Sequence, residues 1–505
     1  MNLQDLLYGV TSDPVAAVPV AGIACHSKQV RTGDLFIAIE GTTADGHAFM
    51  EEAIARGASA VIAQHPPASY RHGTVSGSHH SSSSAIRACP CVIVRDTRAA
   101  LVTIARRFYG HPSSKLRLIG VTGTNGKTTT TYLLKTILDA AGFRAGLLGT
   151  IVYQIGDRAV PSTNTTPGPL ELQRYFAQMV GEGLQWCAME VSSHALAQGR
   201  IDGLELEAAI FANLGSDHLD YHKTREAYAE AKRRLFDQLR PDGTALINTD
   251  DEYGRVLAET LPHRQVVTYG MERQAKASVK HVVCSWQGIS LVLDTPWGVV
   301  PIVTPLVGRH NVWNIAAAGT ALLATGIAPS AVREGLSALD HVPGRLERVA
   351  NDADINIIID YAHTADALRL VLLSLRELTR GRLVVVFGCG GNRDQTKRPV
   401  MGKMASLLAD HIILTSDNPR GEDPLEIIRQ VKSGFPPGFT HFEVVPDREQ
   451  AIVTALSAAR REDTVLIAGK GHEAYQLFRN ISVPFSDRDV VERWAESRHT
   501  VAMSS

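Results

Sequence analysis

At 505 residues, with 44% apolar side chains and 51 Lys and Arg against 52 Asp and Glu, the chain has room for about three packed domains and no global field that would draw nucleic acid or an anionic membrane. Its six cysteines (Cys25, Cys89, Cys91, Cys187, Cys284, Cys389) are scattered, and the one close pair has the wrong spacing for a zinc knuckle, so reduced thiols and a cytoplasmic location are expected. The N-terminal segment has no basic stretch leading into an apolar one, and the longest apolar run, Ile315 to Ile327, is shorter than the ~18 residues of a bilayer span, so neither a signal peptide nor a membrane span is expected.

The first block, residues 1–110, alternates short apolar runs (DLFIAIEG, SAVIAQ, PCVIVRD) with a helix-like stretch, HAFMEEAIARG, and reads as a smaller α/β domain. Pro66 to Ala88 interrupts it with Ser, His, Gly and Pro. Such composition cannot bury enough apolar area to pack, so a surface insertion is expected rather than metal capture by His79 and His80. The second block, residues 111–341, opens with KLRLIGVTG and alternates strands (WCAMEVSS, LEAAIFANL, GTALINTDD) with helices, one spanning Ala227–Leu239. The third, residues 342–505, sets INIIIDYA, RLVVVFGCGG, HIILTSDNP and DTVLIAGKG between helical stretches such as ADALRLVLLSLRELT. This alternation predicts an α/β protein with parallel sheets covered by helices on both faces: a central P-loop-type domain and a Rossmann-like third one. Such sheets bind ligands at the carboxyl ends of their strands, and most of the motifs below fall just after a strand.

In the second block, the strand Leu116–Val121 runs into Thr122-Gly123-Thr124-Asn125-Gly126-Lys127-Thr128-Thr129, and a helix follows from Thr130 to Ala141, ended by Gly142. Glycines there let backbone N–H groups turn inward around a phosphate, and the helix start adds partial positive charge. Lys127 is placed to reach outer phosphates and Thr128 to hold Mg²⁺. Val121 stands where the longer form of this loop has its first glycine, so the match is to a shorter variant.

GTNGKTT, together with NTTP (Asn164–Pro167), MEVSSHAL (Met189–Leu196), SDHLDYH (Ser216–His222) and DYAHTADAL (Asp360–Leu368), strongly resembles the Mur ligase family over essentially the whole chain. VFGCGGNRD, DNPR and GKGHEAYQ narrow the resemblance to members that extend UDP-N-acetylmuramoyl-L-alanyl-D-glutamate by a third residue. The resemblance implies that ATP phosphorylates the free carboxylate of that dipeptide. An amine then attacks the acyl phosphate, and phosphate leaves. A carboxylate is a poor electrophile, and bringing anions together demands cations where charge builds up.

Residue by residue, the resemblance implies an ATP site of Gly123, Thr124, Asn125, Gly126, Lys127, Thr128, Thr129, His310, Asn311, Arg345 and Asp360, with Asn314 left as helix surface. Catalytic and Mg²⁺-binding roles fall to Lys127, Thr128, Glu190, His218 and Lys232. By composition Lys232 is only a helix-surface lysine. The family counterpart is carbamylated by CO₂, which requires an amine that gives up its proton readily. The nucleotide-sugar site maps onto Ser27, Thr42, Thr43 and Ala44 in the first block and onto Asn164, Thr165, Thr166, Ser192, Gln198 and Arg200 in the second. His26-Ser27-Lys28 departs there from the usual Asp-Ser-Arg.

Asp417-Asn418-Pro419-Arg420 is, as bare sequence, a turn. In look-alikes it marks meso-2,6-diaminopimelate as the amine, because an arginine clamps that molecule's second carboxylate with paired hydrogen bonds. Arg393, Gly469 and Glu473 match further positions of this pocket, with Arg393 toward a carboxylate and Glu473 toward the distal ammonium. A dinucleotide loop at Gly388-x-Gly390 is disfavoured because the third glycine would be Arg393. Competing readings are an L-lysine-adding relative, a folylpolyglutamate synthase-like ligase, and a P-loop ATPase acting as a switch.

Overall fold

The computed structural model describes residues 1–41, 44–66, 89–262 and 265–504, with side chains described through 498. Thr42, Thr43, His79, His80 and residues 67–88 of the Ser/His-rich segment lie outside the described residues.

Four short parallel strands form the first sheet in the order β1 (Gly22–Ala24), β2 (Asp34–Ile37), β3 (Ala60–Ala63), β4 (Cys91–Ile93). DLFI and AVIA are buried at every position, as strands covered on both faces must be. The helix Thr97–Phe108 starts where Asp96 accepts the N–H groups of Arg98 and Ala99, and it buries Ala100, Leu101 and Ile104.

The second sheet has eleven strands. They are β5 (Arg117–Thr122), β6 (Ala145–Leu148), β7 (Val152–Ile155), β8 (Arg158–Pro161), β9 (Trp186–Glu190), β10 (Leu206–Phe211), β11 (Leu239–Asn248), β12 (Val266–Gly270), β13 (Ala277–Ser285), β14 (Gly288–Thr295) and β15 (Gly298–Thr304). Their order is β15-β14-β13-β12-β11-β10-β5-β9-β6-β7-β8. From β6 to β13 every pairing is parallel, as expected for the core of this sheet, and the four outer strands add antiparallel margins. The reason is local. Two-residue connections such as Gly156-Asp157, Trp286-Gln287 and Pro296-Trp297 are too short for a crossover helix and close hairpins instead. β15 accordingly alternates buried and exposed residues with a period of two.

The helix Lys127–Ala140 follows β5, and the helix Asn311–Ala324, buried at twelve of its fourteen positions, packs against it. The apolar run from Ile315 is thus a core helix, and no described helix is long and apolar enough to cross a membrane. The helix expected over Ala227–Leu239 is α-helical at Arg225–Arg233 and tightens to a 3₁₀ turn over Arg234–Gln238.

The third sheet is ordered β16 (Glu347–Val349), β17 (Asn356–Asp360), β21 (Thr464–Ala468), β18 (Leu383–Phe387), β19 (His411–Leu414), β20 (Phe442–Val444); only the edge strand β16 is antiparallel. A hairpin, β22 (Tyr475–Phe478) and β23 (Ile481–Pro484), follows β21.

Candidate functional site

The loop after β5 lies between the carboxyl ends of β9 and β10. Gly126 has φ +86°, and a Cβ there would stand 2.3 Å from Oδ1 of Asn314, so both backbone and space demand glycine. Asn213, just beyond β10, accepts the N–H groups of Thr124 and Asn125 at 3.1 and 2.9 Å and so fixes the loop's shape. Lys127 Nζ donates to the carbonyls of Gly123 and Thr124 at 2.8 and 3.0 Å. Burial pulls its ammonium pKa down, while Glu190 and Asp217 push it up.

Glu190 ends β9 and is 1% exposed. Its carboxylate accepts the hydroxyls of Thr128 and Thr150 at 3.0 Å each and the Thr150 N–H at 2.7 Å. The Glu190 carboxylate with the hydroxyls of Thr128 and Thr150 offers hard oxygen atoms of the kind a divalent cation takes. His218 sits in the left-handed region at φ +56° and contacts Asp217 at 3.4 Å. Burial pushes its imidazole pKa down, while the Asp217 carboxylate opposes that. Lys232, 1% exposed, lies 4.3 Å from the ring of Tyr228. Burial, then the nearby Lys127, pull its pKa well below the ordinary lysine value, which favours the neutral amine that carbamylation needs.

Residues from beyond the central sheet complete this cleft. Arg345 donates to the Thr128 hydroxyl at 3.2 Å, with its guanidinium 4.5 Å from the Tyr361 ring. Asp360, at the end of β17, accepts the N–H groups of Leu346 and Ala362 at 2.7 and 2.8 Å, and burial raises its pKa. Nδ1 of His310 lies 3.0 Å from the Ser374 hydroxyl. Asn314 is not helix surface: it is 5% exposed, lines the cleft against Gly126, and donates to Asn311 at 2.8 Å. Asn311 itself is turned back onto the Val307 carbonyl. A second polar residue at i+3 on an otherwise apolar buried helix was the signal for Asn314. Thr150, Asp217, Tyr361 and His363 also line the cleft, and the sequence reading missed all four.

Beside it, Arg200 ties the nucleotide-sugar candidates together. It donates to Gln198 Oε1 at 2.8 and 3.0 Å and to the Thr166 carbonyl at 2.8 Å. Thr165 pairs with Thr150 at 3.1 Å. Thr166, fully buried, donates to the Glu190 carbonyl and accepts the N–H of Ser192, which caps the helix Ser193–Ala197. Tyr153 donates to the Asn164 carbonyl and accepts its N–H. In the first sheet's block the Ser27 hydroxyl is buried and donates to Glu52 at 2.8 Å, and the Ala44 carbonyl closes a turn with Gly41. Asp45, His47 and His65 bring three ligand-type atoms within 4.8 Å of one another. Yet His47 Nε2 accepts the Gln64 N–H at 2.9 Å, so Nδ1 carries the proton facing Asp45 at 2.6 Å, and His47 has no ring lone pair left for a metal, which breaks the set of three.

The remaining candidates gather at the carboxyl ends of β18, β19 and β21. Asp417 and Asn418 are buried, and a Cβ on Gly469 (φ +113°) would meet Asp417 at 2.6 Å. Arg420, at φ +50°, is held in that conformation by the hairpin: its N–H donates to the Leu477 carbonyl and its carbonyl accepts from Arg479. Burial and the neighbouring Arg393 lower its pKa, and Asp417 and Glu473 oppose that. Both arginines border Gly390, and two cations with carboxylates nearby suit a ligand carrying both charges. Beneath this pocket the fully buried Arg448 donates twice to Asp487 at 2.7 Å and reaches the carbonyls of Ser416 and Ala468 at 3.5 and 3.1 Å, tying the ends of β19 and β21 together.

Three family models match the chain: Mur ligase family, catalytic domain, over residues 19–109; Mur ligase middle domain over 121–322; and Mur ligase, glutamate ligase domain, over 344–471. The chain is 42% identical over 485 residues, 95% of each chain, to the UDP-N-acetylmuramoyl-L-alanyl-D-glutamate--2,6-diaminopimelate ligase of Geobacillus kaustophilus. It is 43% identical over 492 residues, 97% of each, to the protein of that name from Gloeobacter violaceus. A solved structure of a UDP-N-acetylmuramoyl-L-alanyl-D-glutamate--2,6-diaminopimelate ligase is 32% identical, with 99% of both chains covered and a TM-score of 0.67.

Proposed function

Because the chain belongs to the Mur ligase family, we propose that it uses ATP to join meso-2,6-diaminopimelate to UDP-N-acetylmuramoyl-L-alanyl-D-glutamate, a step in building the peptidoglycan precursor. The observation that carries this reading is the amine pocket. Arg420 and Arg393 both border Gly390, where an added Cβ would stand 2.9 Å from Arg420 Nη1 and 3.8 Å from Arg393 Cγ, which suits a distal carboxylate, and the charge of Glu473 acts on the same Arg420 guanidinium and suits a distal ammonium. L-Lysine would bring a bare ammonium up to the two arginines. A folylpolyglutamate-type ligase or a switch ATPase has no use for that pair.

In this reading residues 1–110 hold the uridine end, residues 111–341 the ATP, and residues 342–505 the incoming amino acid. The Gly123–Thr129 loop, His310, Arg345 and Asp360 bind ATP, and Asn314 joins them, with Asn311 bracing Asn314 from behind. Thr128, Glu190, His218 and carbamylated Lys232 would hold magnesium, which supplies cationic charge to the phosphate oxygens. Asn164, Thr165, Thr166, Ser192, Gln198 and Arg200 seat the dipeptide with its free carboxylate toward Lys127. One carboxylate oxygen attacks the terminal phosphorus, and ADP departs. Lys127 and Arg345 offset the charge that accumulates on the transferred group. The amine of diaminopimelate then attacks the acyl carbon, loses a proton and expels phosphate, leaving an amide. The three blocks bring these groups together and keep water from the acyl phosphate. Six free cysteines and dependence on ATP favour a cytoplasmic setting.

Phosphate release measured with ATP, Mg²⁺, the UDP-linked dipeptide and one amine at a time tests the proposal. Turnover with meso-diaminopimelate and little with L-lysine is expected; equal or reversed use overturns it.

A further inference from the structure

Lys470, between the two glycines that follow β21, is fully buried. A lysine so placed needs anionic company. Its Nζ lies 2.9 Å from Oε2 of Glu473 and 3.2 Å from Oδ1 of Asn418, with the Tyr475 ring 5.4 Å away. Nδ2 of Asn418 donates to that same Oε2 at 2.9 Å, and its Oδ1 accepts a further bond from the Leu477 N–H at 3.0 Å. Asn418 therefore spends both oxygen lone pairs on the protein and acts as a strut between the turn after β19 and the hairpin. Oε1 of Glu473 makes no hydrogen bond or ion pair among the described residues.

We infer that Lys470 is a positioning residue for amine selection: with Asn418 it fixes Glu473 as a carboxylate with one oxygen tied into the protein and the other free for the distal ammonium of the amine substrate. Being fully buried, Lys470 does not touch that substrate. It acts by deciding which oxygen of Glu473 faces the pocket and by keeping that side chain in one rotamer, so no ordering is left to do when the ammonium arrives. The inference rests on the reading of Glu473 given under the proposed function.

The test compares meso-diaminopimelate with 2-aminopimelate, which keeps both carboxylates and the reacting amine but has no distal ammonium. Wild-type protein and Lys470→Met, which keeps the length of the side chain and removes its charge, are assayed by phosphate release with each amine, alongside thermal melting. The expected result is a fall of at least about tenfold in kcat/KM for diaminopimelate, with less than about a twofold change for 2-aminopimelate and for the KM of ATP. Equal losses for both amines would mean that Lys470 merely supports the pocket, and no loss would mean that Glu473 needs no support; either overturns the inference. If wild-type protein itself shows no preference for diaminopimelate over 2-aminopimelate, the reading of Glu473 fails first and takes this inference with it. Should the methionine variant not fold, Lys470→Gln, which removes the charge but keeps a polar end in the same space, should show the same amine-specific loss.

Discussion

Asp366 accepts the backbone N–H of Ser216 at 2.9 Å, a bond between the helix Ala365–Arg376 and the loop that carries Asp217 and His218. The loop is held from its other side too, where the Gly215 N–H donates to the Thr124 hydroxyl at 2.8 Å and that hydroxyl lies 3.1 Å from Tyr228 OH. The third block thereby sets the position of a proposed magnesium ligand in the second. A charge-assisted bond of this kind contributes ~1.5–3 kcal/mol. Asp366→Ala is expected to lower kcat about tenfold while leaving the KM for the amine nearly unchanged, and Asp366→Asn, which keeps an acceptor oxygen, should recover most of the loss. Steady-state phosphate release checks both variants. A change confined to KM would show that the bond serves binding instead.

Arg420→Ala should raise the KM for diaminopimelate about 30- to 100-fold, the range of a lost paired arginine–carboxylate contact, without moving the KM for ATP. Arg420→Lys should fall between, because an ammonium keeps the charge but not the planar fork. A comparable rise in the KM for ATP would place the residue in the wrong site.

Among the described residues Lys127 makes its hydrogen bonds only to carbonyls of its own loop, so Lys127→Ala should leave the melting temperature close to wild type. Turnover should drop by about a thousandfold or more, since the cation facing the transferred phosphoryl group is gone. A variant that melts normally and still turns over at near wild-type rate would contradict the assigned role.

Burial pushes His310 and His472 down to about 4, against about 6.5 in an unfolded chain. Between these values the unfolded chain binds more protons than the folded one, so stability is fully present above pH ~6.5 and is lost as the pH falls toward 4. The urea midpoint should therefore be lower at pH 5 than at pH 7.5. His218 and His222 are pushed down to about 4 as well, so His472→Phe removes one of several such groups and should make the drop shallower; an unchanged drop would leave it to the others.

Much of this architecture is written locally. IGVTG, WCAME and LVVVF are runs buried on both faces, and the turns after them carry the motifs, so the parallel strands and the ligand end of each sheet follow from short stretches of chain. The antiparallel margins carry a local mark of their own: GVVPIVT alternates with a period of two, and its two-residue connection to β14 is too short for the helix-length crossover that parallel pairing needs. Partners set by tertiary packing left no local mark at all. Thr150 meets Glu190 from 40 positions away, and Lys470 meets Asn418 from 52. Ser27 shows the converse: its hydroxyl matched a family position, while folding hands that hydroxyl to Glu52, 25 residues on.

The paired bonds from Arg448 to Asp487 make the last helix, Asp487–Ser504, a structural tenant of a pocket it never enters. Its first residue supplies the counter-charge for a guanidinium sealed in the interior, and stranding such a charge costs ~3–5 kcal/mol. The same helix buries Val490, Val491 and Trp494 against the third sheet, so shortening the chain to before residue 487 would strand the guanidinium and uncover that core together.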